Sequence, residues 1–452
     1  MSQSAPTQSR TQALLNDPPL PLLLRLASPN VMAFLVQALV SIAETWFIGQ
    51  RGTTALAAIA LVFPWLMLMQ MMANGALGGA VTSAIARALG SDDRNAAERL
   101  IWNAIALAVA AGVFFAVVGN LLTLPVLRTM TDDPQVFDAA TNYARLLFFG
   151  APLLWCMAVL SACHRGTGNM RLPALVMIGG ALLQIPLSGA FILGWGGAPE
   201  LGVEGAIASF LVIATLSVVV LLAGFRGSRS LVPLSLATAG WRADLVARIL
   251  SVGLPSILSP VFTVATISGI NYLVEREGVA ALAGYGIGSR IEFLLIPMMF
   301  GIGVALNALV GTNLGAGQIE RAHRIGWLGV ACAATLTGTV GGSLAIWPEL
   351  WAGPFAQDQA TLDAAVSYLR ICGPAFLFQG IGLVLYFGSQ GAGRVGWPIV
   401  ATVLRFAIAV GGGILLAEQL DASMTLIFGC IAAGMVVYGG ITAAALRLGM
   451  WR

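Results

Sequence analysis

The apolar runs in this chain are too long to be core elements of a water-soluble domain. Val31–Ile48 is one, and Thr54–Leu89 is a longer one. Others lie near Ala104–Leu124, Tyr143–Cys163, Leu172–Trp195 and Val203–Phe225. Each reaches the ~18 residues at which a helix can cross hydrocarbon. Inside a bilayer the backbone must satisfy its own hydrogen bonds, which leaves only helices and closed barrels. Barrel strands are short and alternate in polarity, so long unbroken apolar runs specify helices. The second half carries a matching set near Val252–Val274, Val279–Leu314, Ile325–Trp347, Ala365–Gly388, Trp397–Ala417 and Met424–Leu446. The expected fold is an all-α integral membrane protein with twelve transmembrane helices, six per half. Composition agrees. Only 10% of residues are charged, against about 25% in a soluble domain, and the mean hydropathy is +0.88.

The opening segment, MSQSAPTQSRTQALLNDPP, is short and polar. It does not read as a secretory signal, since no small-residue cleavage site follows an isolated apolar core. Cys156, Cys163, Cys332, Cys372 and Cys430 fall in or beside the spans without paired loop spacing. They read as small buried side chains, so no disulfide framework, metal site or cofactor is expected. All 23 basic residues are Arg. With the N-terminus inside, the cytoplasmic segments hold Arg10, Arg25, Arg94, Arg99, Arg165, Arg171, Arg226, Arg229, Arg242, Arg248, Arg321, Arg324, Arg394, Arg447 and Arg452. The outer loops hold little beyond Arg51, Arg128 and Arg276. By the positive-inside rule this skew puts both termini in the cytoplasm of a cell membrane, taken as a bacterial inner membrane. With the basic residues so explained, no nucleic-acid partner is expected.

The two halves are related. Gly166, Gly168 and Pro173 in SACHRGTGNMRLPALV return as Gly391, Gly393 and Pro398 in YFGSQGAGRVGWPIVA, each 225 residues on (391 − 166, 393 − 168, 398 − 173). Gly90, Arg99 and Trp102 return as Gly315, Arg324 and Trp327, and Asp133, Asp138, Tyr143 and Arg145 as Asp358, Asp363, Tyr368 and Arg370. RGTTALAAIA, from Arg51, parallels EGVAALAGYG, from Glu277, with one residue of slip. An even number of spans per copy makes these parallel repeats, related by an axis along the membrane normal, an architecture found in transporters. The expected organisation is a polar tail over 1–19, a six-helix bundle over 20–225, a cytoplasmic linker over 226–241 and a second bundle over 242–452. The repeated Gly-rich turn reads as a tight helix connector, with Pro173 and Pro398 suited to the first turn of the next helix.

RGTGNMRLP after the fourth span and QGAGRVGWP after the tenth resemble the multidrug and toxic compound extrusion (MATE) family. So do AETWFIGQRGTTALAAIA at the end of the first span and GTNLGAGQIERAHR closing the eighth. The likeness runs from about Pro29 over nearly the whole chain. It implies a MATE/MOP-type fold of two six-helix bundles around a central cavity. It also implies export of organic cations or other amphiphiles in exchange for H⁺ or Na⁺.

An ionisable group within a span is costly, and so is a functional candidate. Glu44 is the foremost one. Gln37, Ser41 and Glu44, at spacings of four and three, share a helix face that Asn30 continues one heptad earlier. Burial disfavours the charged form of a carboxyl group, and a carboxyl so poised can take a proton on one side and release it on the other. The resemblance places Glu44 where many members carry an acid on the first span. Many relatives hold an Asn and, four residues on, an Asp in the fifth span. Here LLQIPLSGA supplies Gln184 and Ser188 instead. Other relatives carry acids in the seventh and tenth spans, and this chain has none there. A hard cation favours carboxylate and carbonyl oxygens, so these departures favour H⁺ over Na⁺. The ion-coupling set is therefore Glu44, Gln37, Ser41, Gln184 and Ser188.

Glu292 is the second intramembrane acid, read either as half of a structural ion pair or as a cavity contact. Gln70, Asn74, Met67, Met71 and Thr263 are the other cavity candidates, because polar groups and adaptable Met side chains suit a promiscuous amphiphile site. Pro64, Pro186, Pro260 and Pro297 interrupt spans and should bend them. With no Lys there can be no Walker phosphate loop. The two His residues, His164 and His323, lie beside cytoplasmic loops rather than mid-span, so an intramembrane enzyme is not expected. The expected function is secondary multidrug efflux by alternating access. A flippase for a lipid-linked precursor on the same general fold is the alternative, though it would call for a large cationic cavity.

Overall fold

The computed structural model describes residues 5–226, 231–420 and 423–451. Arg229 and Arg452 lie outside these, as do parts of the 226–241 connector and of the polar tail. Among the described residues the only regular structure is helical. Ten helices are long and apolar enough to cross a membrane, or twelve when each of two bent helix pairs counts as one span.

In chain order the helices are α1 (Ala5–Asn16), α2 (Pro19–Gly49), α3 (Thr53–Gly90), α4 (Arg94–Met130), the bent pair α5 (Pro134–Phe149) and α6 (Ala151–Gly166), α7 (Arg171–Leu193) and α8 (Glu204–Ala223). They continue as α9 (Ala243–Glu275), α10 (Val279–Gly315), α11 (Ile319–Ile346), α12 (Pro348–Ala352), the bent pair α13 (Gln359–Cys372) and α14 (Phe376–Ala392), α15 (Gly396–Glu418) and α16 (Met424–Arg447). The stretch read as a polar tail thus contains a helix. Pro260, expected mid-span, falls in the first turn after a one-residue break at Ile257, where its missing N–H costs nothing.

The 225-residue echo is carried into geometry. The α5/α6 pair bends by 48° and the α13/α14 pair by 57°, each at a Gly with a Pro close behind it: Gly150 and Pro152, Gly373 and Pro374. Asp133 and Asp358 cap the N-termini of α5 and α13. The first accepts from the Gln135 amide at 2.8 Å and the second from the Thr361 amide at 2.8 Å. An N-terminal turn leaves backbone N–H groups without intrahelical partners, and a short carboxylate side chain satisfies them.

The repeated Gly-rich turn proves to be a helix stop. At the end of α6, Gly168 has φ 73°, its amide donates to the Arg165 carbonyl, and the Asn169 amide donates to the His164 carbonyl. Gly393 repeats this with φ 72°, its amide on Gln390 and the Arg394 amide on Ser389. This reciprocal pair of bonds around a left-handed residue closes off orphan carbonyls. A second pair of stops ends α3 and α10. Gly317 is left-handed in one at φ 75°, and in the other the residue is Asp92, at φ 60°. A side chain in that region costs up to about 1–2 kcal/mol. Asp92→Gly should therefore stabilise the protein by about 0.5–1 kcal/mol, read as a higher melting temperature in detergent. An unchanged or lower value would count against the strain.

The chain separates into two compact units. The first comprises Met1–Asn16 and Met32–Gly253, the second Asp17–Val31 and Leu254–Arg452. Within the first, α4 crosses the α5/α6 bend where Gly112 faces Pro152, and a Cβ there would lie 2.3 Å from the Pro152 Cα. Small residues allow such approach of helix backbones. The second has an aromatic centre in which Tyr368 meets Tyr285, Phe376 and Phe428.

Candidate functional site

In the first unit, α2 and α7 bring three of the expected residues together. The Gln184 side-chain amide donates to Glu44 Oε1 at 2.8 Å, and the Ser188 hydroxyl donates to the same oxygen at 2.8 Å. Residues 184 and 188 are four apart, one above the other on α7, so one carboxylate reaches both. Ser209 on α8 lies 2.7 Å from the Ser188 hydroxyl and 2.8 Å from the Ala206 carbonyl, and its single O–H can be given to either. Buried Tyr143 on α5 stands within electrostatic reach of Glu44. No Arg pairs with Glu44 among the described residues.

This row of hydroxyls can run in either direction. With Glu44 ionised, Ser209 donates to Ser188 and Ser188 to the carboxylate. With Glu44 protonated, its O–H can donate to Ser188, Ser188 to Ser209, and Ser209 to the Ala206 carbonyl. Hydroxyls both donate and accept, so both protonation states find partners without moving a helix. Two donors aimed at one oxygen suit an anion or a shared proton.

Gln184 also borders a cavity of about 140 Å³ within the first unit. Gln37, Gln70 and Asn74 line it, together with Ser161, Arg165 and Ser217, and an apolar portion of its wall comes from Phe34, Leu154, Met157, Phe210 and Ile213. Gln70 precedes a widened π-helical turn, Met71–Leu77, in α3, and Asn74 lies within it. Such a turn inserts a residue into the helix and often marks a functional segment.

The other candidates are placed differently. Ser41 is exposed and does not join Glu44. At 100° per residue it lies about 60° round the helix from Glu44, on the flank of the stripe. Buried Asn30 turns its amide back onto the Leu26 carbonyl of its own helix at 3.0 Å. Met67 and Met71 are half-buried and do not line the cavity. Thr263 and Glu292 belong to the second unit. There Glu292, 8% exposed, accepts from the Tyr368 hydroxyl at 3.0 Å and lies 3.6 Å from Arg405. The void beside it measures about 10 Å³, roughly one water's worth. Arg290, two residues away, is exposed. Arg145 and Arg370, matched by the repeat, do not share a role: Arg370 pairs with Glu349 at 2.8 Å, while Arg145 is exposed and forms no ion pair among the described residues.

Sequence reading missed Arg405, Ser209 and Arg165. The signal for Arg405 was present, as an Arg inside the apolar run ATVLRFAIAV. Ser209 gave none. Arg165, taken for a loop residue, is 2% exposed in the cavity wall.

Apolar helices of membrane-crossing length, arranged as two echoing halves, define a polytopic, internally duplicated membrane protein. The MatE family model matches it twice, over residues 29–189 and 254–415, and the two matches start 225 residues apart (254 − 29). The chain belongs to the MatE family, the transporters identified above from its turn motifs, and the efflux fold expected of it is borne out. An FAD transporter of Shewanella oneidensis is 26% identical over 381 residues, covering 83% of this chain and 82% of that one. A probable multidrug resistance protein, NorM, of Thermotoga maritima is 28% identical over 391 residues, covering 84% and 82%. A solved MOP superfamily transporter from Pyrococcus furiosus has the same fold, with a TM-score of 0.90 at 22% identity over 99% of this chain and 98% of that one.

Proposed function

We propose that this protein exports amphiphilic or cationic organic compounds in exchange for protons by alternating access, with Glu44 as the proton carrier. The carrying observation is a carboxylate within a span-length apolar helix that, among the described residues, is held by neutral donors alone, Gln184 and Ser188. An Arg partner would pin Glu44 in its charged form, and without one its proton can come and go. Gln184 both grips Glu44 and borders the cavity. Cargo that draws on the Gln184 amide weakens its bond to the carboxylate, and protonation of Glu44 lessens the pull of the carboxylate on Gln184. Proton and cargo thereby compete through one side chain. The Arg skew supports cytoplasmic termini in a bacterial inner membrane. The donor geometry at Glu44 favours H⁺ over Na⁺, which would need acceptor oxygens.

The test is cargo-driven pH change in proteoliposomes bearing a proton gradient. Adding ethidium should collapse the gradient to the same extent with and without Na⁺. A response that requires Na⁺ would replace the proton with sodium in this scheme, and no response to any amphiphile would remove the exchange.

A further inference from the structure

A charged group in the wall of the first unit's cavity lacks a counter-charge. Arg165 lies at the end of α6, 2% exposed. Its Nη2 meets only the Met177 sulfur at 3.6 Å, a weak acceptor, and its guanidinium lies 5.8 Å from the Phe34 ring centre. The Nε–H is buried with no hydrogen-bond partner. Among the described residues no carboxylate pairs with it. A guanidinium offers five donors in a planar fork, and a buried charge is ordinarily paired. The other polar groups around the cavity, such as Gln37, Gln70, Asn74 and Ser217, are neutral, so among the described residues that line it Arg165 alone carries a full charge.

We propose that Arg165 is a specificity-determining residue that receives an anionic group, a carboxylate or its like, on an otherwise apolar cargo. A planar carboxylate matches the guanidinium fork with two parallel bonds. Phe34, Met157 and Phe210 provide the apolar and aromatic surface for the rest of the molecule. Zwitterions and aromatic acids then become cargo as well as cations. This inference rests on the reading that the cavity takes cargo, but not on proton exchange.

The experiment is equilibrium titration calorimetry on the purified protein in detergent, with 2-naphthoate and its neutral analogue 2-naphthamide as probes. Wild type should bind the naphthoate about 10- to 100-fold more tightly, the range of a hydrogen bond to a charged group. Arg165→Gln should abolish the preference while leaving naphthamide binding intact, and Arg165→Lys should keep part of it. Gln70→Glu, at an exposed position in the cavity wall, offers a rival carboxylate while leaving the Arg165 side chain in place. It should weaken naphthoate binding alone and serves even if the Arg165 variants fail to fold. Equal affinities in wild type, absent naphthoate binding, or a preference that survives Arg165→Gln or Gln70→Glu would each overturn the assignment. Because no gradient is present, a protein that shows the preference yet moves no protons keeps this inference and loses the exchange. The opposite result does the reverse.

Discussion

Glu44→Gln should abolish cargo-driven proton movement while leaving a folded protein. The carboxamide keeps an acceptor oxygen where Gln184 and Ser188 donate, so packing and hydrogen bonding survive, and stability should stay within about 1 kcal/mol of wild type. What is lost is the titratable proton. The ethidium response in proteoliposomes should fall at least ~10-fold, to the level of empty vesicles, since general removal of a proton carrier leaves no second route. Glu44→Asp shortens the side chain by one methylene, about 1.5 Å, and breaks the direct contact with α7. It should retain a proton but transport slowly. Undiminished exchange by Glu44→Gln would take Glu44 out of the mechanism and leave the Ser188–Ser209 row a packing detail.

The second large effect is one of stability. Arg405→Met should destabilise the second unit by about 3–5 kcal/mol, the usual cost of orphaning one member of a buried ion pair. Among the described residues Glu292 would be left with the Tyr368 hydroxyl alone, beside a void with room for about one water, far short of the hydration a carboxylate needs. Replacing both members, Glu292→Leu with Arg405→Met, should recover most of that loss, because an apolar pair needs no desolvation. Denaturation of the detergent-solubilised protein measures all three. A single variant no less stable than the double would mean that the pair contributes little. Glu292→Gln should still exchange protons, since a carboxylate facing Arg405 serves to hold α10, α13 and α15 together. Its loss of exchange would promote Glu292 to a coupling residue.

Much of this was legible in the amino-acid order because the solvent is the strongest constraint on the fold. A span must be apolar along its whole length, and a duplicated helix stop must repeat its Gly and Pro at the same offset. Those demands act residue by residue, so Gly168 and Gly393 could be matched by eye. The partnership of Glu44 with Gln184 and Ser188 was also within reach, because the four-residue spacing on α7 survives folding. Ser41 was grouped with Glu44 because the two share a helix face, yet they are its opposite edges, about 60° apart, and meet different neighbours. Arg165 escaped for a different reason. Its place at the edge of an apolar run fits a cytoplasmic loop equally well, and only the packing of Phe34 and Met177 around it turns a surface charge into an interior one. Ser209 sits in an apolar run that looks the same whether its hydroxyl faces lipid or Ser188.

The division of α2 bears on how such a chain could have arisen. Asp17–Val31 joins the second unit while the remainder of that helix joins the first, and the first unit in turn extends through Gly253 into α9. Pro29 and Pro255, one residue off the common offset, mark the two exchange points. The halves are therefore a swapped pair, each completed by a segment encoded in the other. Cutting the gene between them would give two fragments with a missing piece apiece, and neither should fold until the two are made together.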